Sequence, residues 1–254
     1  MTDITKPKIT VLTNIYNEEY LLPWWLNHHK KYFDHGIMIN YHSNDNSVNL
    51  IKEICPTWEI INTKNENFDA ILVDEEIMSI EKLISGWRIV LNTTEFLIGD
   101  YSLLNDINDD VDYYIPPYIM VDNVNDEFNN PDYNEDLFLQ RTHGASYTDL
   151  NNFLFKKSRK LSNYFSSYPL GRHFGTYNTT EFVILWYGFS PMNDKLIDRK
   201  IQIQHKIPES DKLSKRGFHH FVNREQVIEQ FKSWQIKSED LGDNIKQLIQ
   251  QTSI

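Results

Sequence analysis

The sequence predicts one α/β domain, with a mixed, mainly parallel central sheet flanked by helices. Three observations carry this expectation. Short apolar runs rich in β-branched residues alternate with helix-period segments through the first 100 residues, the pattern of strands joined by crossover helices. The length of 254 residues suits one large α/β domain and is short for two. The chain is 40% hydrophobic and 13% aromatic, with 14 Tyr, 14 Phe and 6 Trp, core material that disordered chains lack.

Ile9-Thr-Val-Leu-Thr13 reads as the first strand, followed by a polar turn over Asn14–Glu19. Leu21–Phe33 has helical spacing, with Leu22, Trp25, Leu26 and His29 on one face and Pro23 near the start, where proline is tolerated. Gly36–Tyr41 is the second strand, and the turn-forming cluster His42–Ser47 leads into a helix through Ile54. Trp58–Ile61 is the third strand. Phe68–Ile84 is a long amphipathic helix with Gly86 placed to cap its end. Trp87–Leu91 is the fourth strand, and Glu95–Ile98 continues or re-enters the sheet.

The second half is less regular. Tyr113–Val121 reads as a strand interrupted by prolines, hence an edge or a bend. Asp122–Asp136 is an acidic, Asn-rich loop, and Phe182–Tyr187 a buried strand. Lys195–Ile207 and Val222–Ile236 read as helices, as does Ser238–Gln251 with Ser238 as its cap. No internal repeat or linker divides the chain. Residues 1–100, and 101–254 with the C-terminal helices, read as two halves of that one domain.

Charge and cysteine content narrow the function. The formal net charge is -11, the pI about 5.2 and the mean hydropathy -0.52. An acidic surface repels phosphate backbones, which argues against broad nucleic-acid binding. The single cysteine, Cys55, precedes Pro56 without a neighbouring base and reads as core packing. One cysteine forms no intrachain disulfide, which suits a reducing compartment. The stretch Met1–Lys8 has no apolar signal core and no run approaches a membrane span. The expectation is a cytoplasmic protein, so the acceptor patterns at Asn92 and Asn178 are discounted as glycosylation sites.

In parallel sheets ligands bind beyond the carboxyl ends of the strands. The polar turns at 14–19, 42–47 and 92–95 all follow strands on that edge. Within them stand Leu12-Thr-Asn-Ile-Tyr-Asn-Glu-Glu19, Trp24-Trp-Leu-Asn-His-His29, Ser43-Asn-Asp-Asn-Ser47 and Trp87-Arg-Ile-Val-Leu-Asn-Thr-Thr-Glu-Phe-Leu97. In order and spacing these blocks resemble the family 2-type GT-A glycosyltransferases, in particular the small bacterial and viral branch near the DUF23 group. The Asn, Ile and Lys content fits an AT-rich genome of that kind. The resemblance covers about 40% of the chain, with weaker likeness at Gly171-Arg-His173 and Arg199-Lys200.

The resemblance implies the GT-A (nucleotide-diphospho-sugar transferase) fold. It also implies transfer of a hexose from a nucleotide-sugar, a UDP-sugar ahead of a GDP-sugar, to a glycan or other hydroxyl acceptor. It gives Asn14, Tyr16, Asn17 and Glu18 to the base and ribose, and Ser43 and Asp45 to the nucleotide. The segment after the fourth strand would carry an Asp-X-Asp metal motif. Here it reads Asn92-Thr-Thr-Glu95, so both expected aspartates are neutral. A divalent ion on a diphosphate wants hard anionic oxygens. Asn92 and Thr94 offer only neutral oxygens to the donor, which leaves Glu95 as the local carboxylate, a metal ligand or donor-sugar contact. Mn2+ or Mg2+ remains an expected cofactor, and metal independence is open beside it.

Other candidates stand against plainer roles. Arg172, beside Gly171 and His173, could clamp a diphosphate in place of the metal, or pair with a surface carboxylate. Arg199 and Lys200 read as helix-surface charge. Of His219 and His220, His220 could complete a metal site, although adjacent side chains diverge and a structural histidine is the plainer role. Glu81 could turn inward from a helix whose Glu75 and Glu76 are solvated. An inverting transferase needs a carboxylate base. Asp211 is the first choice, with Glu209 and Glu181 as rivals. A GT-A-fold module that binds without catalysing is the alternative. A sugar-nucleotide pyrophosphorylase-like enzyme is disfavoured because the loop at 14–19 has no glycine and two glutamates.

Overall fold

The computed structural model describes residues 8–105, 107, 109–126, 128–146, 158–179, 181–217 and 220–251. The first half runs β1 (Ile9–Ile15), α1 (Leu22–His29), β2 (His35–Asn40), α2 (Ser47–Ile54), β3 (Glu59–Asn62), α3 (Ala70–Glu81), β4 (Trp87–Val90) and β5 (Glu95–Gly99). The strands β6 (Asp112–Ile115) and β7 (Pro117–Val121) follow, then α4 (Leu137–Gln140), β8 (His143–Ser146), β9 (Arg159–Ser162) and β10 (Phe182–Phe189). The chain continues through α5 (Asp194–Gln202), α6 (Glu209–Leu213), α7 (Arg224–Gln235), β11 (Glu239–Asp240) and α8 (Gly242–Gln251). A short 3-10 turn, Ile203–Lys206, links α5 to the segment before α6.

The central sheet has the order β3-β2-β1-β4-β9-β6. Its first four strands are mutually parallel, while β9 pairs antiparallel with both β4 and β6. It is therefore mixed and mainly parallel, flanked by helices, as the sequence predicts. A second sheet, in the order β11-β8-β7-β10-β5, stands beside it.

Glu95–Ile98 does not extend the central sheet. The backbone turns at Asn92, where Glu95 N–H donates to the Asn92 carbonyl at 2.9 Å, and β5 pairs antiparallel with β10. Helix α1 fixes it there. Trp25 Nε1 donates to the Glu95 carbonyl at 2.9 Å, His28 Nε2 to the Leu97 carbonyl at 2.7 Å, and Leu97 N–H donates to His29 Nε2 at 3.3 Å.

The two faces of β1 explain the layers. Ile9, Val11 and Ile15 join the large core with Trp24, Trp25, Phe96 and Phe182, between the central sheet, α1 and the second sheet. Leu12 and Tyr16 face the other way, in a smaller core with Ile39, Val90 and the α3 residues Val73 and Ile77. Asp69 caps α3 by accepting from Ile71 N–H and Leu72 N–H. Gly86, between α3 and β4, has φ +84° and a backbone that passes close to the Lys8 carbonyl, where a Cβ would stand 2.8 Å away.

The proline interruption at 116–117 is a change of sheet, with β6 at the edge of the first and β7 inside the second. The last helix starts later than Ser238. The Ser238 hydroxyl donates to the Gln235 carbonyl at 2.8 Å, closing α7, and β11 intervenes before α8.

Candidate functional site

Because β1 to β4 are parallel, the loops that follow them emerge at one edge, and side chains knit them together. Asn17, at φ 51°, donates its N–H to Ser43 Oγ at 3.1 Å. Its side chain and Asn44 bond reciprocally, Nδ2 to Asn44 Oδ1 at 2.8 Å and Asn44 N–H to Asn17 Oδ1 at 2.9 Å. Asp45 accepts from Glu19 N–H at 3.0 Å and Ser47 N–H at 2.9 Å. Glu18 N–H donates to Ser47 Oγ at 2.8 Å. Thus Asn17, Glu18, Ser43 and Asp45 meet at this edge, and much of their hydrogen bonding goes to one another.

A segment from the far end of the chain closes over this edge. Arg199 engages both carboxylate oxygens of Glu18, with Nη2 to Oε1 at 2.8 Å, and Nη2 also donates to Thr93 Oγ1 at 3.1 Å. It therefore ties the loop after β1 to the loop after β4, and helix-surface charge describes it poorly. Gln202 Nε2 donates to the Asn17 carbonyl at 2.8 Å. Tyr16 Oη and His205 Nε2 are 3.0 Å apart, and the Lys206 ammonium stands 5.2 Å from the Tyr16 ring centre. Tyr16 is 8% exposed, and burial, with Asp45 second, raises its phenol pKa. Asn14, two residues before Tyr16 on β1, has a buried Nδ2 with no hydrogen-bond partner among the described residues.

Beyond β4 lies a layer of buried charges. Glu95 is 5% exposed and Arg159 3%. Arg159 Nε lies 3.0 Å from both Glu95 oxygens and Nη2 is 2.7 Å from Oε1, while Asn92 N–H donates to Oε2 at 2.7 Å. Arg159 Nη1 also reaches the Gly171 carbonyl at 3.3 Å, the Arg172 carbonyl at 3.0 Å and His173 Nδ1 at 3.2 Å. Asp74 accepts from Gly171 N–H at 2.6 Å and lies 3.2 Å from Arg172 Nε. That last contact is a charge contact without hydrogen-bond alignment. Arg172 Nε and Nη1 are buried with no hydrogen-bond partner among the described residues. Arg172 is 8% exposed, has φ 54°, and its pKa is lowered by burial against the opposing pull of Asp74. Glu81 does turn inward. It accepts from Tyr168 Oη, stands 3.7 Å from Arg88, and burial raises its pKa.

Several expected roles change. Asp211 is 1% exposed, accepting from Ala70 N–H at 2.8 Å and from Arg216 Nε at 2.7 Å. A carboxylate committed at both oxygens to a helix start and an ion pair is a poor base. Of its rivals, Glu209 pairs with Lys212 at the surface, and Glu181 flanks the Gly99 end of β5, away from Glu95. Thr94 gives its carbonyl to Tyr187 N–H at 2.7 Å. His220 donates its N–H to the Gly217 carbonyl at 2.9 Å, while His219 lies outside the described residues. Among the described residues no group of three or more His, Cys, Asp or Glu could hold a metal ion. With both Glu95 oxygens occupied by Arg159 and Asn92, these residues do not fit a divalent ion.

The sequence matches no protein-family model and no curated protein. Among solved structures, it is similar to Staphylococcus aureus TarS 1-349, at 13% identity and TM-score 0.33, over 61% of this chain and 47% of that one. The same protein in complex with UDP gives 12% identity, TM-score 0.30 and coverages of 61% and 46%. HddC from Yersinia pseudotuberculosis gives 13% identity and TM-score 0.30, over 71% of this chain and 76% of that one. The chain spans about half the length of the TarS 1-349 structures. These likenesses are partial, and the functional assignment rests on the residues described above. No helix among the described residues is long and apolar enough to cross a membrane.

A cleft of about 600 Å³ opens at the opposite edge of the central sheet, among Lys8, His35, Glu59, Ile80 and Ile84. It lies at the amino ends of the strands, away from the knitted loops, and none of the residues expected at the site lines it.

Proposed function

We propose that the protein is a GT-A-type glycosyltransferase that binds a nucleotide-sugar, a UDP-sugar foremost, at the carboxyl edge of the central sheet. It would move the hexose to a glycan or other hydroxyl acceptor. The observation that carries this reading is the convergence of the loops after β1, β2 and β4, locked by Asn17–Ser43 and by Arg199 between Glu18 and Thr93. Ligands of parallel sheets bind at this edge. On this reading Asn14 supplies its unmet donor to the base, and Tyr16 supplies an aromatic face once the turn carrying His205 and Lys206 gives way. Glu18 and Asp45 hold the loops in shape for the ribose.

The test is a thermal-shift and calorimetric screen of the full chain against UDP, GDP, CMP and their sugar conjugates, each with Mn2+ and with EDTA. A ligand at a hundredfold excess over its Kd stabilises the native state by about 2.7 kcal/mol, an upward Tm shift of about 5–10 °C at this chain length. UDP and UDP-sugars should give it. No shift with any nucleotide, with or without metal, would remove the reading. A second reading, a module that binds without transferring, draws on the neutral Asn92–Thr94 segment and the occupied Glu95. Nucleotide binding without hydrolysis or transfer of any UDP-sugar would favour it.

A further inference from the structure

Glu95 and Arg159 form a buried ion pair directly after Asn92–Thr94, the segment where the resemblance would put a metal motif. We infer, resting on the nucleotide reading, that this site accepts a nucleoside diphosphate without a divalent ion. Arg159 replaces the ion as the fixed internal cation, and Arg172 is the residue that meets the diphosphate.

Charge is the first support. A divalent ion between two carboxylates leaves a locally neutral centre, and Arg159 on the single carboxylate of Glu95 is also neutral. Geometry is the second. The guanidinium holds both Glu95 oxygens while Asn92 N–H takes Oε2, so an incoming ion would have to strip Arg159 of its counter-charge at 3% exposure. Leaving a buried charge unpaired is strongly unfavourable.

The third support is what Arg159 does with its other nitrogen. Nη1 gathers the carbonyls of Gly171 and Arg172 and the His173 ring, holding the loop that carries Arg172. An ion bridges protein to phosphate by touching both. Arg159 does it in two steps, by fixing Glu95 and by presenting Arg172. Arg172 is suited to an oxyanion. It is kept in a left-handed backbone conformation beside Asp74, with two guanidinium nitrogens lacking an acceptor. Buried donors without partners are costly, and a phosphate oxygen is a strong, bidentate-compatible acceptor for them. Binding requires the guanidinium to turn from Asp74 toward the ligand.

The experiment is calorimetric titration of the full chain with UDP and with uridine, in EDTA and in excess Mn2+, for the wild type and Arg172→Gln. The expected result is a UDP Kd that agrees within about twofold between EDTA and Mn2+, with no heat and no Tm shift from Mn2+ alone. Arg172→Gln should weaken UDP by about tenfold or more, the worth of a charged hydrogen bond, while uridine binding is unchanged. Mn2+ tightening UDP tenfold, or binding alone, overturns the inference and leaves the nucleotide reading intact. Equal losses of UDP and uridine in Arg172→Gln would make Arg172 merely structural and overturn its assigned role. Should that variant fail to fold, the wild-type comparison in EDTA and Mn2+ still decides. No UDP binding under any condition removes both readings together.

Discussion

Replacing Glu95 by Gln keeps the side-chain shape and removes one charge at the centre of the buried layer. Arg159, at 3% exposure, then keeps a full positive charge with its nearest counter-charge gone. Gln retains one acceptor for the 2.7 Å bond from Nη2, but a neutral acceptor does not compensate the ion. Breaking one side of such a pair costs about 3–5 kcal/mol. At roughly 2–4 °C per kcal/mol for a chain of this length, Tm should fall by about 6–20 °C. Urea denaturation with a fluorescence readout from the six tryptophans gives the free energy, and calorimetry gives Tm. The double variant Glu95→Leu with Arg159→Met supplies the control, since replacing both ions by packed apolar groups is often near neutral. It should recover most of the loss. Because the pair is buried, the loss should also persist in high salt. A single variant within about 1 kcal/mol of the wild type would refute a buried, mutually dependent pair, since that is the range of exposed ion pairs.

Three further outcomes are expected. Asp69→Ala removes the side chain that caps α3 through Ile71 and Leu72 and should lower stability by about 1 kcal/mol, read from the denaturation midpoint at unchanged m-value. Arg199→Ala cuts the tie between Glu18 and Thr93. It should cost about 1–3 kcal/mol and weaken UDP several-fold by calorimetry, and unchanged affinity would mean that the loops hold their shape alone. Stability should fall as pH drops from about 6.5 toward 4, because burial depresses His28 to about 4 and His29 well below its ordinary value. Both histidines are neutral in the folded state. The unfolded chain takes up the protons first, so the stabilisation present above 6.5 is lost on acidification, on the order of 3 kcal/mol for His28. Asp122, raised to about 6 by burial, runs the other way. Its contribution is fully present below 3.8 and is lost as pH rises through 6. His28→Gln should flatten the acid loss, and an identical pH profile in that variant would contradict the assignment.

The parallel half of the central sheet was legible because β1, β2 and β4 carry short runs of apolar and β-branched residues and polar turns separate them from the helices. Strand β9 was not, and the reason is physical. Its residues Arg-Lys-Leu-Ser are all buried, but the first two are charged, so no apolar alternation marks them. What makes them tolerable inside is Glu95 for Arg159, and Asp112 with the Tyr168 ring for Lys160, and both carboxylates lie far off in sequence. The site divides in the same way. Asn17, Ser43 and Asp45 could be placed together because each follows a parallel strand. Arg199 could not, since Glu18 lies 181 positions earlier and an arginine on an amphipathic helix looks like solvent-facing charge. The surroundings of Asp211 are hidden for a related reason. A carboxylate in a late loop looks available until the helix start at Ala70 is seen to claim it.

The way residues 159–211 close over the first hundred also bears on how the protein is made. Synthesis delivers the loops after β1, β2 and β4 first, yet Glu95 waits for Arg159, Glu18 for Arg199, Tyr16 for His205 and Ala70 for Asp211. Strand β4 stays an open edge until β9 arrives, and open edges recruit other chains. A ribosome halfway through this message therefore holds a sheet with an unpaired border and an unfinished rim. Completion comes only once Arg199, His205 and Asp211 have followed, so chains released before them would emerge adhesive rather than merely incomplete.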